Sequence, residues 1–311
     1  MNKEERKVVL AFIAVCIIWG STYLAIRIGV QEFPPGLFAG IRFLAAGLIM
    51  LTYARLKGHE FPSKASDIRK ISIVGLFLLF GGNGMVVWAE QWVHSGIASL
   101  LVATGPLFMA ILEFLLPNTP KIKTKGWIGL LLGISGVILL VSSNLTAGTI
   151  NLKGALLMVF ATLSWSTGSI YSKTFKASGS IVPQIGIQMV VGGTALTVLG
   201  LIMGEHSRAH LTFNSFAAML YLILFGSILG YSSYIYVLQK WPAAKAGTYA
   251  YVNPIVAVFL GAIVLNEPIT IYVVISSVII LTGVFLVQTS KTQIKPAKAK
   301  IPATSGVSEE V

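Results

Sequence analysis

The sequence predicts an all-α integral membrane protein whose ten transmembrane helices form an inverted 5+5 repeat. Three observations carry that expectation. The composition is too apolar for a water-facing globule, ten apolar runs have bilayer-spanning length, and landmark residues recur about 148 positions apart.

Of the 311 residues, 55% are hydrophobic and 11% are charged, and the mean hydropathy is +0.81. Soluble domains carry about a quarter charged residues to keep their surface hydrated. A helix crossing the bilayer needs about 20 mostly apolar residues. Runs that satisfy this occur near 8–28, 36–54, 71–92, 95–116, 126–143, 151–172, 183–203, 214–238, 243–265 and 269–289. The connections are too short to hold a soluble domain. Residues 291–311 lack apolar periodicity and read as a disordered cytoplasmic tail.

Charge position sets the topology. With the N-terminus inside, nineteen of the 23 Lys and Arg fall on the inner side, in clusters at Lys3–Lys7, Arg55–Lys70, Lys121–Lys125, Lys173 and Lys176, Lys240 and Lys245, and Lys291–Lys300. Cytoplasmic loops accumulate such residues, so both termini are expected in the cytoplasm of a multi-pass plasma-membrane protein. The same clusters account for the net charge of +12 through lipid headgroups rather than nucleic acid. The first apolar run continues past Ile17 into Trp19 and Tyr23 with no small-residue cleavage site, so it reads as a helix and not a signal peptide.

The repeat places Gly82 with Gly230, Gln91 with Gln239, Pro106 with Pro254, and Asn118-Thr119-Pro120 with Asn266-Glu267-Pro268. Trp19 corresponds to Trp165 and Arg27 to Lys173 at a slightly smaller offset. The expected units are 1–146 and 147–290. Each holds five spans, so the second copy enters the membrane from the opposite face. Inverted repeats suit secondary transporters, because exchanging the conformations of the halves opens a shared site to alternate sides. Duplication also builds channels and membrane enzymes. An enzyme would want clustered acids for Mg²⁺ or a nucleophile beside His, and this chain has 11 acids and four His, mostly in loops and tails. No Walker A sequence occurs, and one cysteine, Cys16, makes neither a disulfide nor a metal site. No cofactor, metal or catalytic residue is expected.

Taken in chain order, the polar residues within the spans mark a central cavity. In the first span Trp19, Thr22, Tyr23 and Arg27 share a helical face. Arg42 lies in the second span. The third carries Asn83, Trp88 and Glu90; an acid there is costly and needs a partner, the candidates being His94, four residues on, and Arg42, similarly close to the outer face on the second span. Glu90 and Arg42 therefore form either a structural ion pair or a coupling site for a proton or other ion. In the fourth and ninth spans Pro106 and Pro254 lack an N–H and are expected to break the helix. Trp165 and Ser169 line the sixth span, Tyr231 and Tyr234 the eighth, and Tyr249 and Asn253 the ninth. An aromatic belt with snorkelling Arg27 and Lys173 is the alternative account of the stripes, and the favoured one for those two cations. Asn266-Glu267-Pro268 reads as a capped helix start. Glu113 is expected to meet the Lys121–Lys125 loop. Gly36/Gly40, Gly129/Gly133 and Gly226/Gly230 read as close helix approaches.

The stretches WGSTYLAIRIG (19–29), GPLF (105–108) and NPIVAVFLGAIVLNEPIT (253–270), set in ten spans, resemble the EamA-type transporters of the drug/metabolite transporter superfamily. The resemblance covers roughly residues 8–289. It implies a five-plus-five exporter of amino acids, other metabolites or toxic compounds, with a cavity between helices 1, 3, 4 and 6, 8, 9. One departure is Thr119 where the second half has Glu267. The partners to expect are a small-molecule substrate, the bilayer and a coupling ion. Substrate, direction and oligomeric state do not follow from the sequence.

Overall fold

A computed structural model describes residues 3–115, 123–146, 152–241 and 246–290. The side chain of Glu113, the Asn118-Thr119-Pro120 landmark, Lys121, Lys245 and the 291–311 tail lie outside the described residues.

Among the described residues no strand forms. The helices are α1 (Lys3–Glu32), α2 (Pro35–Leu56), α3 (Ala65–Ala89), α4 in two pieces (Ser95–Val102 and Gly105–Leu115), α5 (Thr124–Thr146), α6 (Leu152–Tyr171), α7 (Ile181–Ile202), α8 (Phe213–Lys240), α9 (Gly247–Leu265) and α10 (Ile271–Ser290). Nine of these described segments are long and apolar enough to cross a bilayer, and α10 adds a shorter apolar stretch, Ile271–Val287. Local chemistry sets the ends. Pro35 opens α2, where a missing N–H costs nothing. Thr212 and Ser215 form a reciprocal capping box at the start of α8. Large apolar side chains such as Leu131, Ile138, Phe160 and Ile255 face outward, each more than half exposed, as lipid-facing positions require.

Small residues set the packing of the two halves. Gly36, Gly40 and Gly47 of α2 lie against Gly200, Thr197 and Gly186 of α7, in descending order, so the helices run antiparallel. Gly129, Gly133 and Gly136 of α5 meet Leu286, Gly283 and Ile280 of α10 in the same sense. The second and fifth helices of one half thus run against their counterparts in the other, as an inverted repeat demands. Gly226 and Gly230 do something different from the close helix approach expected of them. They make room for side chains, namely Arg42, Thr22 and Trp19, because α8 is wound more widely there.

Three carboxylates clamp one half to the other, two of them at helix starts, where backbone N–H groups have no intrahelical acceptor, and the third on the loop before α7. Glu205 accepts from the N–H groups of Gly36 and Leu37 at 3.2 and 2.9 Å. Asp67 accepts from the N–H and hydroxyl of Ser178 at 2.9 and 2.7 Å. Glu267 accepts from the N–H and hydroxyl of Ser95 at 2.8 Å each and from Gly96 at 3.2 Å. This corrects the reading of Asn266-Glu267-Pro268 as a start of its own helix. Asn266 instead ends α9 in the left-handed conformation, with φ 53°, which Asn tolerates better than most residues. That turn sends Glu267 to the beginning of α4.

Candidate functional site

Two π-helical segments shape the centre of the bundle: Leu76–Gly84 within α3 and Leu222–Tyr231 within α8. They occupy equivalent places in the two halves. A π turn leaves carbonyls poorly matched to the helix ladder, and such turns concentrate at functional sites. Here side chains from the opposite half supply donors. Trp19 Nε1 donates to the Gly226 carbonyl at 3.2 Å, and Ser164 Oγ donates to the Phe77 carbonyl at 2.8 Å. Gly82 and Gly230 are glycine for lack of room. A Cβ on Gly82 would lie 3.0 Å from the Trp165 ring, and one on Gly230 would lie 2.6 Å from Trp19 Nε1.

The two tryptophans meet edge to face, with centroids 5.4 Å apart. Tyr234 lies 5.0 Å from Trp19 and 5.2 Å from Trp165, and Tyr249 lies 5.1 Å from Trp19. Between this cluster and α3 is a central space of about 50 Å³, lined by Trp19, Thr22, Tyr23, Asn83, Trp165 and Tyr249 among the residues singled out above. Ile26, Gly82, Val86, Val102, Ala161 and Thr162 complete the lining; they carry no polar signal strong enough to mark them in a sequence, Thr162 included, whose hydroxyl donates to the Met158 carbonyl within its own helix.

Tyr234, Ser169 and Tyr231 form the next layer. The Tyr234 and Ser169 hydroxyls are 2.8 Å apart, and Tyr231 donates to Gln188 Oε1 at 2.6 Å. Gln188 lines a second cavity of about 430 Å³ together with Lys173, Lys176 and Lys240. Nothing in the local sequence around Gln188 marks it, because its partner is 43 residues away. A third cavity of about 320 Å³ near Glu32, Lys153 and Arg208 includes Trp88. Trp88 is therefore not part of the central wall. The π turn upstream shifts the helical phase, and the ring packs by Gly36 instead. Asn253 is buried at the start of the second piece of α9 without reaching the central lining.

Both prolines stand where their helices break. α4 is interrupted at Ala103-Thr104, ahead of Gly105-Pro106, and α9 changes from a 3₁₀ segment (Gly247–Tyr251) to an α-helix at Asn253-Pro254. Thr104 Oγ1 donates to the Leu101 carbonyl at 2.6 Å, and Ser166 from α6 donates to the Gly105 carbonyl at 3.2 Å. Neighbouring hydroxyls thereby satisfy backbone that lipid cannot.

The charged residues depart from the sequence reading. Glu90 and Arg42 make no ion pair. Glu90 is fully buried and neither carboxylate oxygen has a hydrogen-bond partner. Arg42 turns to Ser227 Oγ at 2.9 Å and Asn83 Oδ1 at 3.4 Å, and its guanidinium stands 4.6 Å from the Phe43 ring centroid. His94 does not reach Glu90 either, since α3 ends at Ala89 and the i, i+4 relation is lost; His94 faces Glu267. Arg27 and Lys173 are more than interface anchors. Arg27 donates to the backbone carbonyl of Glu90, and Lys173 donates to the carbonyls of Leu238 and Trp241, the last at 3.0 Å. Each cation thus caps the C-terminal end of a long helix of its own half, Arg27 that of α3 and Lys173 that of α8, where carbonyl dipoles accumulate. Burial pulls the Lys173 ammonium below the ordinary lysine range.

Membrane-spanning helices broken at equivalent places around an aromatic central cavity are the construction of a polytopic membrane transporter. The chain belongs to the EamA-like transporter family, whose profile matches residues 6–142 and again 152–289. It is 41% identical over 254 residues to the uncharacterized inner membrane transporter YedA of Escherichia coli K12, covering 81% of this chain and 80% of that protein. It is 26% identical over 281 residues to the uncharacterized transporter YoaV of Bacillus subtilis 168, covering 90% and 96%. A solved chain described as "Crystal structure of protein" superposes with a TM-score of 0.65 at 18% identity, covering 90% of this chain and 96% of that one, and so shares the fold.

Proposed function

We propose that the protein is a secondary transporter that exports small amphipathic metabolites, such as amino acids or related compounds, or drugs, by alternating access. The observation that carries this reading is the pairing of Trp19 with Trp165 over a central space of about 50 Å³. Small-molecule sites measure roughly 300–1,000 Å³, so the rings must part to admit a substrate. Cavities of about 430 and 320 Å³ flank that centre, one beside Lys173, Lys176 and Lys240, the other beside Lys153 and Arg208. The charge map assigns the first to the cytoplasm and the second to the exterior. Both termini are then cytoplasmic, and the name of the YedA relative supports placement in the inner, plasma membrane. Glu90, buried with no partner for its carboxylate, is the group that carries a coupling proton.

Proteoliposomes preloaded with labelled amino acids test this reading. Saturable efflux above that of protein-free vesicles, without ATP, is the expected result. Currents beyond carrier turnover would overturn it, and no efflux of any of them would remove amino acids from its substrates.

A further inference from the structure

Arg42 is a buried charge without a counter-ion. It is 2% exposed, and its hydrogen-bond partners, Ser227 and Asn83, are neutral. The ion pairs among the described residues are Lys7–Glu4 and Lys240–Glu4, both at the surface. Glu90 is within electrostatic reach of the guanidinium and outside contact. Removing a guanidinium from water costs several kcal/mol unless an opposite charge meets it, and inside a membrane such residues mark substrate or ion pathways.

The position of this charge is specific. Asn83 belongs to the π-helical segment of α3 and lines the central space, while Ser227 belongs to the π-helical segment of α8. Gly226 gives one guanidinium nitrogen room, since a Cβ there would lie 2.9 Å from it. The charge therefore stands one side chain behind the cavity wall, at the seam of the two halves. No acid lines the central space.

We propose that Arg42 is the counter-charge for an anionic group of the transported molecule, a carboxylate on an apolar or aromatic body. The carboxylate displaces the Asn83 amide oxygen, whose contact at 3.4 Å is the longer of the two, and takes the guanidinium edge in a paired hydrogen bond. The rings of Trp19, Trp165 and Tyr249 take the apolar body. Displacing Asn83 unties α2 from the π-helical segment of α3, which links binding to movement at the seam. This assignment rests on the central space being the substrate site.

The test is binding to purified protein in nanodiscs, by calorimetry, of three probes matched in size: 3-phenylpropionate, its methyl ester and 3-phenylpropylamine. Wild-type protein is expected to bind the carboxylate at least tenfold more tightly than the ester or the amine. Arg42→Gln should lose that preference and Arg42→Lys should keep part of it. Asn83→Asp gives the guanidinium a resident carboxylate, so it should abolish carboxylate binding while raising the melting temperature. That variant keeps the test decisive if Arg42→Gln does not fold. Equal binding of all three probes, binding of none at millimolar concentration, or undiminished carboxylate binding in Asn83→Asp would overturn the assignment. Carboxylate binding that depends on Arg42, without transport in proteoliposomes, would instead overturn the transport reading and leave the anion site standing.

Discussion

Trp19 and Trp165, one from each half of the chain, meet edge to face at 5.4 Å, and each ring also fills the gap left by a glycine of the opposite half's π-helical segment. The contact is reciprocal: Trp19 stands on Gly230 and Trp165 stands on Gly82. Each ring therefore reports the position of the other half.

Replacing either ring should uncouple that contact. Trp165→Ala is expected to lower transport at least tenfold and to destabilise the fold by about 3–5 kcal/mol, as large-to-small core changes do. Trp165→Phe keeps a ring at the seam and should retain most of both. Efflux rates and melting temperatures of the two variants, measured side by side, check this; equal losses would show that the indole itself, and not a ring at the seam, is required.

Glu90→Gln preserves shape and removes the titratable group. Transport should lose its dependence on a pH gradient while the melting temperature stays level or rises, because an unpartnered buried carboxylate is replaced by a neutral amide. A pH profile identical to that of the unaltered protein would remove Glu90 from the coupling step.

The inter-half caps should matter to stability. Glu267 accepts three hydrogen bonds at the start of α4, and losing a cap costs about 0.5–2 kcal/mol. Glu267→Ala should fall at the upper end, because it leaves Ser95 and Gly96 without acceptors, while Glu267→Gln keeps an acceptor and loses less. Thermal denaturation in detergent reads both.

Gly283 packs against the backbone of α5, where a Cβ would stand 2.5 Å from the Gly133 nitrogen. Gly283→Leu should separate α5 from α10 and cost about 1–3 kcal/mol through overpacking. Gly58, which has positive φ but open space around it, offers a contrast. A substitution there should strain one turn and leave the helix pairing intact, which cross-linking between α5 and α10 can distinguish.

Much of this architecture is legible in the sequence. Apolar runs of bilayer length are a local property, so the spans fall within a few residues of their expected bounds. Pro106 and Pro254 also act locally, by lacking an N–H, and both helices break beside them. Trp88 was not legible in the same way, because a π turn upstream changes which face follows, and helical wheels assume a constant phase. Gln188 is not legible in the sequence either, because its hydrogen bond joins two helices through residues 43 positions apart.

By itself the sequence determined how many times the chain enters the membrane, the spacing that relates its halves, and which polar residues lie within the spans. Those follow from hydropathy, counting and backbone chemistry. Only the tertiary structure decided what those polar groups meet. It sent Glu267 to α4, Arg27 to the end of α3, Lys173 to the end of α8, and Arg42 to neutral partners rather than Glu90. The physical reason is that a buried hydrogen bond or ion pair forms within a few ångströms, and sequence separation places no bound on which groups come that close.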